Sequence, residues 1–196
     1  MRSKLMNTDN TFFKYTTGVA LSTALLLLVP LVAMQFTDEV VWTLGDFVFA
    51  GVLLFGTGML LVLVATKSTG SSHKWGMGIT IFSIFLLTWV NLAVGIVGHE
   101  GEPINTLYFI IPAVGFIGAF LSRFKSQGLC YTLCIMAVIP MIIAVIALMG
   151  YMQEPPHNST TQILGVNMFF TVLFSLSAIS FGNAVKDQNG AELASE

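Results

Sequence analysis

Charged side chains are scarce in this sequence. Lys, Arg, Asp and Glu make up only 9% of the 196 residues, whereas 55% are hydrophobic. An ordinary soluble domain has about one quarter charged residues. The formal net charge is -2 and no segment is rich in Lys and Arg, so nothing in the charge favours nucleic acid as a partner. The shortage of charge excludes an ordinary soluble domain and predicts that the lipid bilayer surrounds the chain.

Residues that bind cofactors are missing from the long apolar segments. No histidine lies inside one, so axial ligation of a membrane-embedded haem is not expected. No lysine lies inside one either, which excludes a retinal Schiff base. Neither a Gly-x-Ser-x-Gly elbow nor a His-Glu-x-x-His motif occurs. The sequence therefore predicts no cofactor and favours a protein that is not an enzyme.

The sequence does contain six long apolar runs. A helix needs roughly 20 apolar residues to cross about 30 Å of hydrocarbon, and each run approaches that length. Their predicted bounds are 17–36, 44–66, 76–98, 106–122, 129–152 and 161–184. Since a backbone in lipid must satisfy its own hydrogen bonds and the runs lack the alternation of barrel strands, each predicts an α-helix.

The predicted fold class is therefore an all-α, polytopic membrane protein with six transmembrane helices. Residues 17–184 are expected to form one six-helix domain between an N-terminal tail, 1–16, and a C-terminal tail, 185–196. The first run is longer than the roughly 7–15 residues of a secretory signal, so it is interpreted as an uncleaved span.

The basic residues are sorted to one side of this layout. All of them fall in the two tails, the second loop or the fourth loop: Arg2, Lys4, Lys14, Lys67, Lys74, Arg123, Lys125 and Lys186. The remaining loops carry only acidic residues and histidines as ionisable groups. The positive-inside rule therefore predicts that both termini are cytoplasmic. A different number of helices would scatter the basic residues over both sides, so their segregation also supports six spans.

Glycine and aromatic residues predict packing and interface positions. Small residues let membrane helices approach closely, and aromatic residues are enriched at the membrane surface. The glycines that predict close packing are Gly51, Gly56, Gly58, Gly76, Gly78, Gly115 and Gly118. The aromatic residues near span ends are Trp42, Trp75, Tyr108 and Tyr151.

Polar residues within the spans lie toward the predicted outer face. Asp46 lies just inside the second span, and both Asn91 and Asn167 lie about 9–11 Å below the outer boundary at 1.5 Å per residue. The loop above them adds Glu100 and Asn105. Polar groups in hydrocarbon often mark a solute path. The first hypothesis is a small channel or transporter, expected to be an oligomer, whose outward-facing vestibule of these five residues attracts a cation or polar solute.

The alternative interpretation is structural. Asn91 and Asn167 would hydrogen-bond between helices, and Asp46 would cap the start of its own helix. The protein would then be a non-transporting membrane scaffold or the accessory subunit of a membrane complex. His99 and His157, both in predicted outer loops, could ligate a metal together with Glu100 or Glu102.

Two stretches resemble known sequences: Leu31 to Gly56, LVAMQFTDEVVWTLGDFVFAGVLLFG, and Thr88 to Gly98, TWVNLAVGIVG. They are similar to an uncharacterised family of small multi-span bacterial inner-membrane proteins with no known activity. The resemblance implies a location in the bacterial cytoplasmic membrane. It implies no reaction, ligand or site residue.

Overall fold

The computed structural model describes residues 2–68, 70–99, 101–150 and 159–194, with side chains described from residue 13 onward. All regular secondary structure in these residues is helical. The elements are α1 (Arg2–Ala33), α2 (Leu44–Lys67), α3 (Ser71–Ala93), a 3-10 helix (Pro103–Phe109), α4 (Ile110–Leu121), α5 (Ser126–Gly150) and α6 (Thr160–Leu193).

The prediction of six helices able to cross a membrane is confirmed. In the part of the chain that the structure describes, six segments are long and apolar enough: Phe13–Ala33, Leu44–Lys67, Ser71–Ala93, Pro103–Leu121, Ser126–Gly150 and Thr160–Leu193. Each one overlaps one of the predicted runs. The structure is therefore consistent with an integral membrane protein.

Several helix boundaries differ from the predicted ones; α1, for example, already begins at Arg2, within the predicted N-terminal tail 1–16. Helix α3 ends at Ala93, before the predicted end at residue 98, because Gly95 adopts a positive φ of 74° that a right-handed helix does not allow. The fourth span begins as a 3-10 helix at Pro103 and becomes α-helical at Ile110. Helix α6 runs to Leu193, past the predicted end at residue 184, since few residues in this polar stretch oppose a helix.

The chain divides into two compact units, the first ending at Lys67 and the second beginning at Ser68. The first unit consists of α1 packed against α2. Of its described side chains only Thr23 and Ala50 are buried. Most of the apolar surface of this unit is therefore not buried between α1 and α2, as expected of helices that face lipid or other helices.

The second unit has a core of its own. Helix α6 packs against both α3 and α5, and α4 packs against α5. The 3-10 helix contacts α3, α4 and α5. Large side chains that are completely or almost completely buried fill this core: Leu87, Tyr108, Leu133, Met136, Phe170, Phe174 and Phe181. Tyr108, predicted to lie at the membrane surface, is instead inside the unit.

The structure separates five of the seven predicted packing glycines into two groups. A Cβ atom on Gly58 would lie 2.6 Å from Val19, one on Gly76 would lie 2.8 Å from Phe181, and one on Gly118 would overlap Thr132. A Cβ atom on Gly56 or Gly78 would meet nothing within 4 Å. Only the first group therefore requires glycine for close helix contact.

We expect Gly118→Ala to destabilise the second unit by about 1–3 kcal/mol, the usual effect of inserting a methyl group into a packed interface. Thr132 cannot easily move away, because its hydroxyl donates to the carbonyl of Gly128 at 2.9 Å. Thermal unfolding of the detergent-solubilised protein measures the effect. Gly78→Ala is the matched control and should leave the melting temperature unchanged or raise it; equal losses in both variants would contradict the prediction.

Candidate functional site

The segment after α3 folds back into the second unit. Gly95, Ile96 and Val97 are all buried, although they follow the end of the helix. Both Gly95 and Gly98 have positive φ, 74° and 70°. A Cβ atom on Gly95 would collide with the backbone carbonyl of His99 and would lie 2.7 Å from Nδ2 of Asn105. Residues 94–99 and 101–102 therefore belong to an inward-folded loop whose path depends on glycine.

Asn105 holds this loop together. Its Oδ1 accepts hydrogen bonds from the backbone N–H groups of Ile96, at 3.2 Å, and Val97, at 3.0 Å. Its Nδ2 donates to the carbonyls of Val97, at 3.0 Å, and His99, at 2.7 Å. The side chain is only 3% exposed. An asparagine amide has two donors and one acceptor oxygen with two lone pairs, so every hydrogen-bonding position of Asn105 is occupied by the loop backbone.

Asn91 ties the end of α3 to the same network. Its Nδ2 donates to the backbone carbonyl of Asn105 at 3.0 Å. Its Oδ1 is buried and has no hydrogen-bond partner among the described residues. The fold thus brings Asn91 and Asn105 together, and the buried Oδ1 of Asn91 remains an available acceptor. Such a group is uncommon in folded proteins, because losing its hydrogen bond to water is unfavourable.

Asn167 makes the second link between elements. Its Oδ1 accepts from the hydroxyl of Tyr108 at 2.9 Å, and its Nδ2 donates to the carbonyl of Ile163 at 2.8 Å. Both Asn167 and Tyr108 are 0% exposed. The pair joins α6 to the 3-10 helix. We name the side chains of Asn91, Asn105, Tyr108 and Asn167 the asparagine network.

His99 makes two polar contacts with neighbouring residues. The N–H of Gly101 donates to Nδ1 of His99 at 3.2 Å, and Nε2 of His99 lies 3.2 Å from Oε1 of Glu102. Since Nδ1 accepts, the proton of a neutral ring is on Nε2, facing the carboxylate. Among the described residues no group of three His, Cys, Asp or Glu side chains could hold a metal. Glu100 and His157 lie outside the described residues, so the metal site stays a prediction.

Asp46 belongs to the first unit and caps α2. Its Oδ2 accepts from the N–H of Thr43 at 2.6 Å and from the Thr43 hydroxyl at 2.8 Å. In return, the N–H of Asp46 donates to Oγ1 of Thr43 at 3.3 Å. These reciprocal bonds form a capping box, which satisfies N–H groups that the first helical turn leaves unpaired. This is the arrangement that the alternative interpretation of Asp46 describes.

A second polar cluster lies at the other end of the second unit, where α3 and α5 begin. Nδ1 of His73 and Oγ of Ser126 are 3.0 Å apart, and Nε2 of Gln188 donates to the same hydroxyl at 3.4 Å. Oγ of Ser72 donates to Oδ2 of Asp187 at 2.8 Å. This cluster could not be predicted from the sequence, because residues so far apart in the chain carry no local signal that they meet. It ties the last turns of α6 to the other two helices.

Comparison with known proteins adds no further constraint: no protein-family model, no curated protein and no solved structure matches this chain.

Proposed function

We propose that this chain is a non-transporting membrane scaffold or an accessory subunit of a membrane complex. The observation that carries the proposal is the saturation of Asn105, whose four side-chain hydrogen bonds all go to backbone groups of the loop that precedes it. A side chain that coordinates a solute along a pathway needs a free donor or acceptor. Asn105 has none to offer without releasing the loop.

Asn167 and Asp46 support the same proposal. The Asn167 amide uses its oxygen for Tyr108 and a nitrogen proton for Ile163, in a fully buried position. The Asp46 carboxylate accepts two hydrogen bonds from Thr43. Substitutions that remove the Asn167 amide or the Asp46 carboxylate should therefore lower the stability of the protein without changing the permeability of the membrane.

A small channel or transporter for a cation or polar solute is the second candidate function. It is favoured by Oδ1 of Asn91, a buried acceptor with no partner in the described part of the chain. An amide oxygen suits a cation or a hydrogen-bond donor. Glu100, the remaining residue of the hypothesised vestibule, lies outside the described residues.

The location and the assembly of the protein are part of the same proposal. The segregated basic residues and the resemblance to small bacterial inner-membrane proteins support a bacterial cytoplasmic membrane with both termini in the cytoplasm. The first unit exposes long apolar side chains on both of its helices, including Leu25 and Val29 on α1 and Val52 on α2. Such surfaces accommodate lipid, a second copy or the helices of a partner.

Reconstitution into liposomes separates the two functions. We expect vesicles that contain the purified protein to be no more permeable to monovalent cations and small polar solutes than protein-free vesicles. Asn91→Leu and Asp46→Asn should leave this permeability unchanged while lowering the melting temperature, because both disrupt hydrogen bonds within the chain.

Asn183→Leu, at an exposed position of α6, is the control for a polar-to-apolar change. A flux above that of protein-free vesicles, altered by Asn91→Leu without a change in melting temperature, would replace the scaffold proposal with the transporter.

A further inference from the structure

The turn between α4 and α5 is held in an unusual conformation. Arg123 and Phe124 are consecutive residues with positive φ, 51° and 59°, a region that residues other than glycine adopt rarely. The N–H of Phe124 donates to the carbonyl of Ala119 at 3.1 Å, and the N–H of Arg123 donates to that of Phe120 at 3.1 Å. These bonds cap α4, so the turn has one defined backbone shape.

Neighbouring contacts fix the turn further. Oγ of Ser122 donates to the carbonyl of Ala119 at 3.1 Å, and the N–H of Lys125 donates to the carbonyl of Ser122 at 3.0 Å. A Cβ atom on Gly128 would overlap Ser122, so the turn lies directly on the start of α5. The side chains of Arg123, Phe124 and Lys125 are exposed from this rigid support.

Charge is unevenly distributed along the second unit. The second polar cluster, which contains Ser126 and Gln188, shows that the start of α3, the α4–α5 turn and the last turns of α6 lie at the same end of the unit. The basic residues of this unit are all at that end: Lys74, Arg123, Lys125 and Lys186. Among the described residues, no carboxylate forms an ion pair with Arg123 or Lys125. The positive charge of the turn is therefore open to an external anion.

An apolar surface runs up to these two basic residues. Phe116 and Phe120 are one helical turn apart on α4 and are 77% and 73% exposed, and Phe124 in the turn is 58% exposed. In a membrane such side chains contact acyl chains. A molecule that touches both the phenylalanines and the basic residues must carry hydrocarbon and negative charge next to each other.

We propose that the α4–α5 turn is a binding site for an anionic phospholipid, with the headgroup phosphate between Arg123 and Lys125 and an acyl chain along Phe116, Phe120 and Phe124. An Arg guanidinium presents a planar set of donors that matches phosphate, and Lys adds a compact charge. The site is independent of whether the protein transports a solute.

Native mass spectrometry of the full-length protein tests this proposal, using micelles that contain equal amounts of phosphatidylglycerol and phosphatidylcholine. The ratio of bound phosphatidylglycerol to bound phosphatidylcholine is the readout. Arg123→Gln/Lys125→Gln should lower this ratio by about 30-fold, from the typical contribution of each basic residue near an anionic lipid. High salt before transfer should also lower the ratio of the unmodified protein.

Lys74→Gln/Lys186→Gln is the matched control, since it removes the same charge from the same end of the unit. It should lower the ratio less than about threefold, because these residues lie outside the turn. An equal loss in both double variants, or no loss in the turn variant, would overturn the proposal.

Arg123→Lys/Lys125→Arg keeps the charge and should keep the lipid preference. If this variant also loses the preference, the effect comes from altered packing of the turn and the proposal fails. The ratio compares two lipids on the same molecule, so it remains decisive even where a variant melts at a lower temperature.

Discussion

Asn105→Ala is expected to lower the free energy of unfolding by about 4 kcal/mol, since each buried partner left unpaired costs about 1–3 kcal/mol. The variant leaves four backbone groups without their side-chain partner: the N–H of Ile96, the N–H and carbonyl of Val97, and the carbonyl of His99. Ile96 and Val97 are almost completely buried, so water cannot easily replace the lost amide. Unfolding in mixed detergent and SDS micelles measures the change.

Asn183→Ala is the control for this variant, because Asn183 is exposed on α6. It should change stability by less than about 0.5 kcal/mol. Asn105→Asp places a buried carboxylate oxygen against the carbonyls of Val97 and His99, so it should be at least as destabilising as Asn105→Ala. A loss below about 1 kcal/mol for Asn105→Ala would show that the loop does not depend on this side chain.

Gly95→Ala is expected to destabilise the second unit by about 3 kcal/mol for two separate reasons. An alanine with positive φ is unfavourable by about 1–2 kcal/mol. The added methyl group would also collide with the backbone carbonyl of His99 and press on the Asn105 amide. Because backbone atoms cannot rotate away, the loop must shift and the hydrogen bonds of Asn105 must lengthen. Thermal unfolding in detergent measures the loss.

Gly165→Ala provides the comparison for that loss. Gly165 is an exposed residue within α6, and a Cβ atom there would meet nothing within 4 Å. Replacing a helical glycine by alanine should stabilise by up to about 1 kcal/mol. Stability changes of the same sign in the two variants would contradict the role assigned to Gly95.

The helices could be predicted from the sequence because their signal is local. A run of about 20 apolar residues is enough to indicate a spanning helix, and this holds for all six segments. The end of α3 could not be found in this way. Ile96 and Val97 are as apolar as helix residues, yet they lie in a buried loop, and only their backbone geometry distinguishes the two states.

The candidate site could be predicted only in part. The hypothesised vestibule grouped Asn91 with Asn105, and the two residues share a hydrogen bond. The depth assigned to Asn91 assumed a helix to residue 98, whereas α3 ends at Ala93. Depth could not reveal that the Asn105 amide bonds to the backbone of the preceding loop. Nor could it indicate that Asn167 bonds Tyr108, because that contact depends on how two distant segments are rotated. The division after Lys67 likewise depends on packing between helices.

The inward-folded loop also bears on the order in which contacts form while the chain is synthesised. Asn105 and the groups it binds are separated by only six to nine residues, and Asn91 is fourteen residues from Asn105. Short loops close quickly and with little entropy loss, so we expect these bonds to form as soon as the 3-10 helix follows α3 during synthesis. Tyr108 must wait for a partner 59 residues later. The end of α3 is therefore tied to the 3-10 helix early, whereas the bond from Tyr108 to α6 forms later.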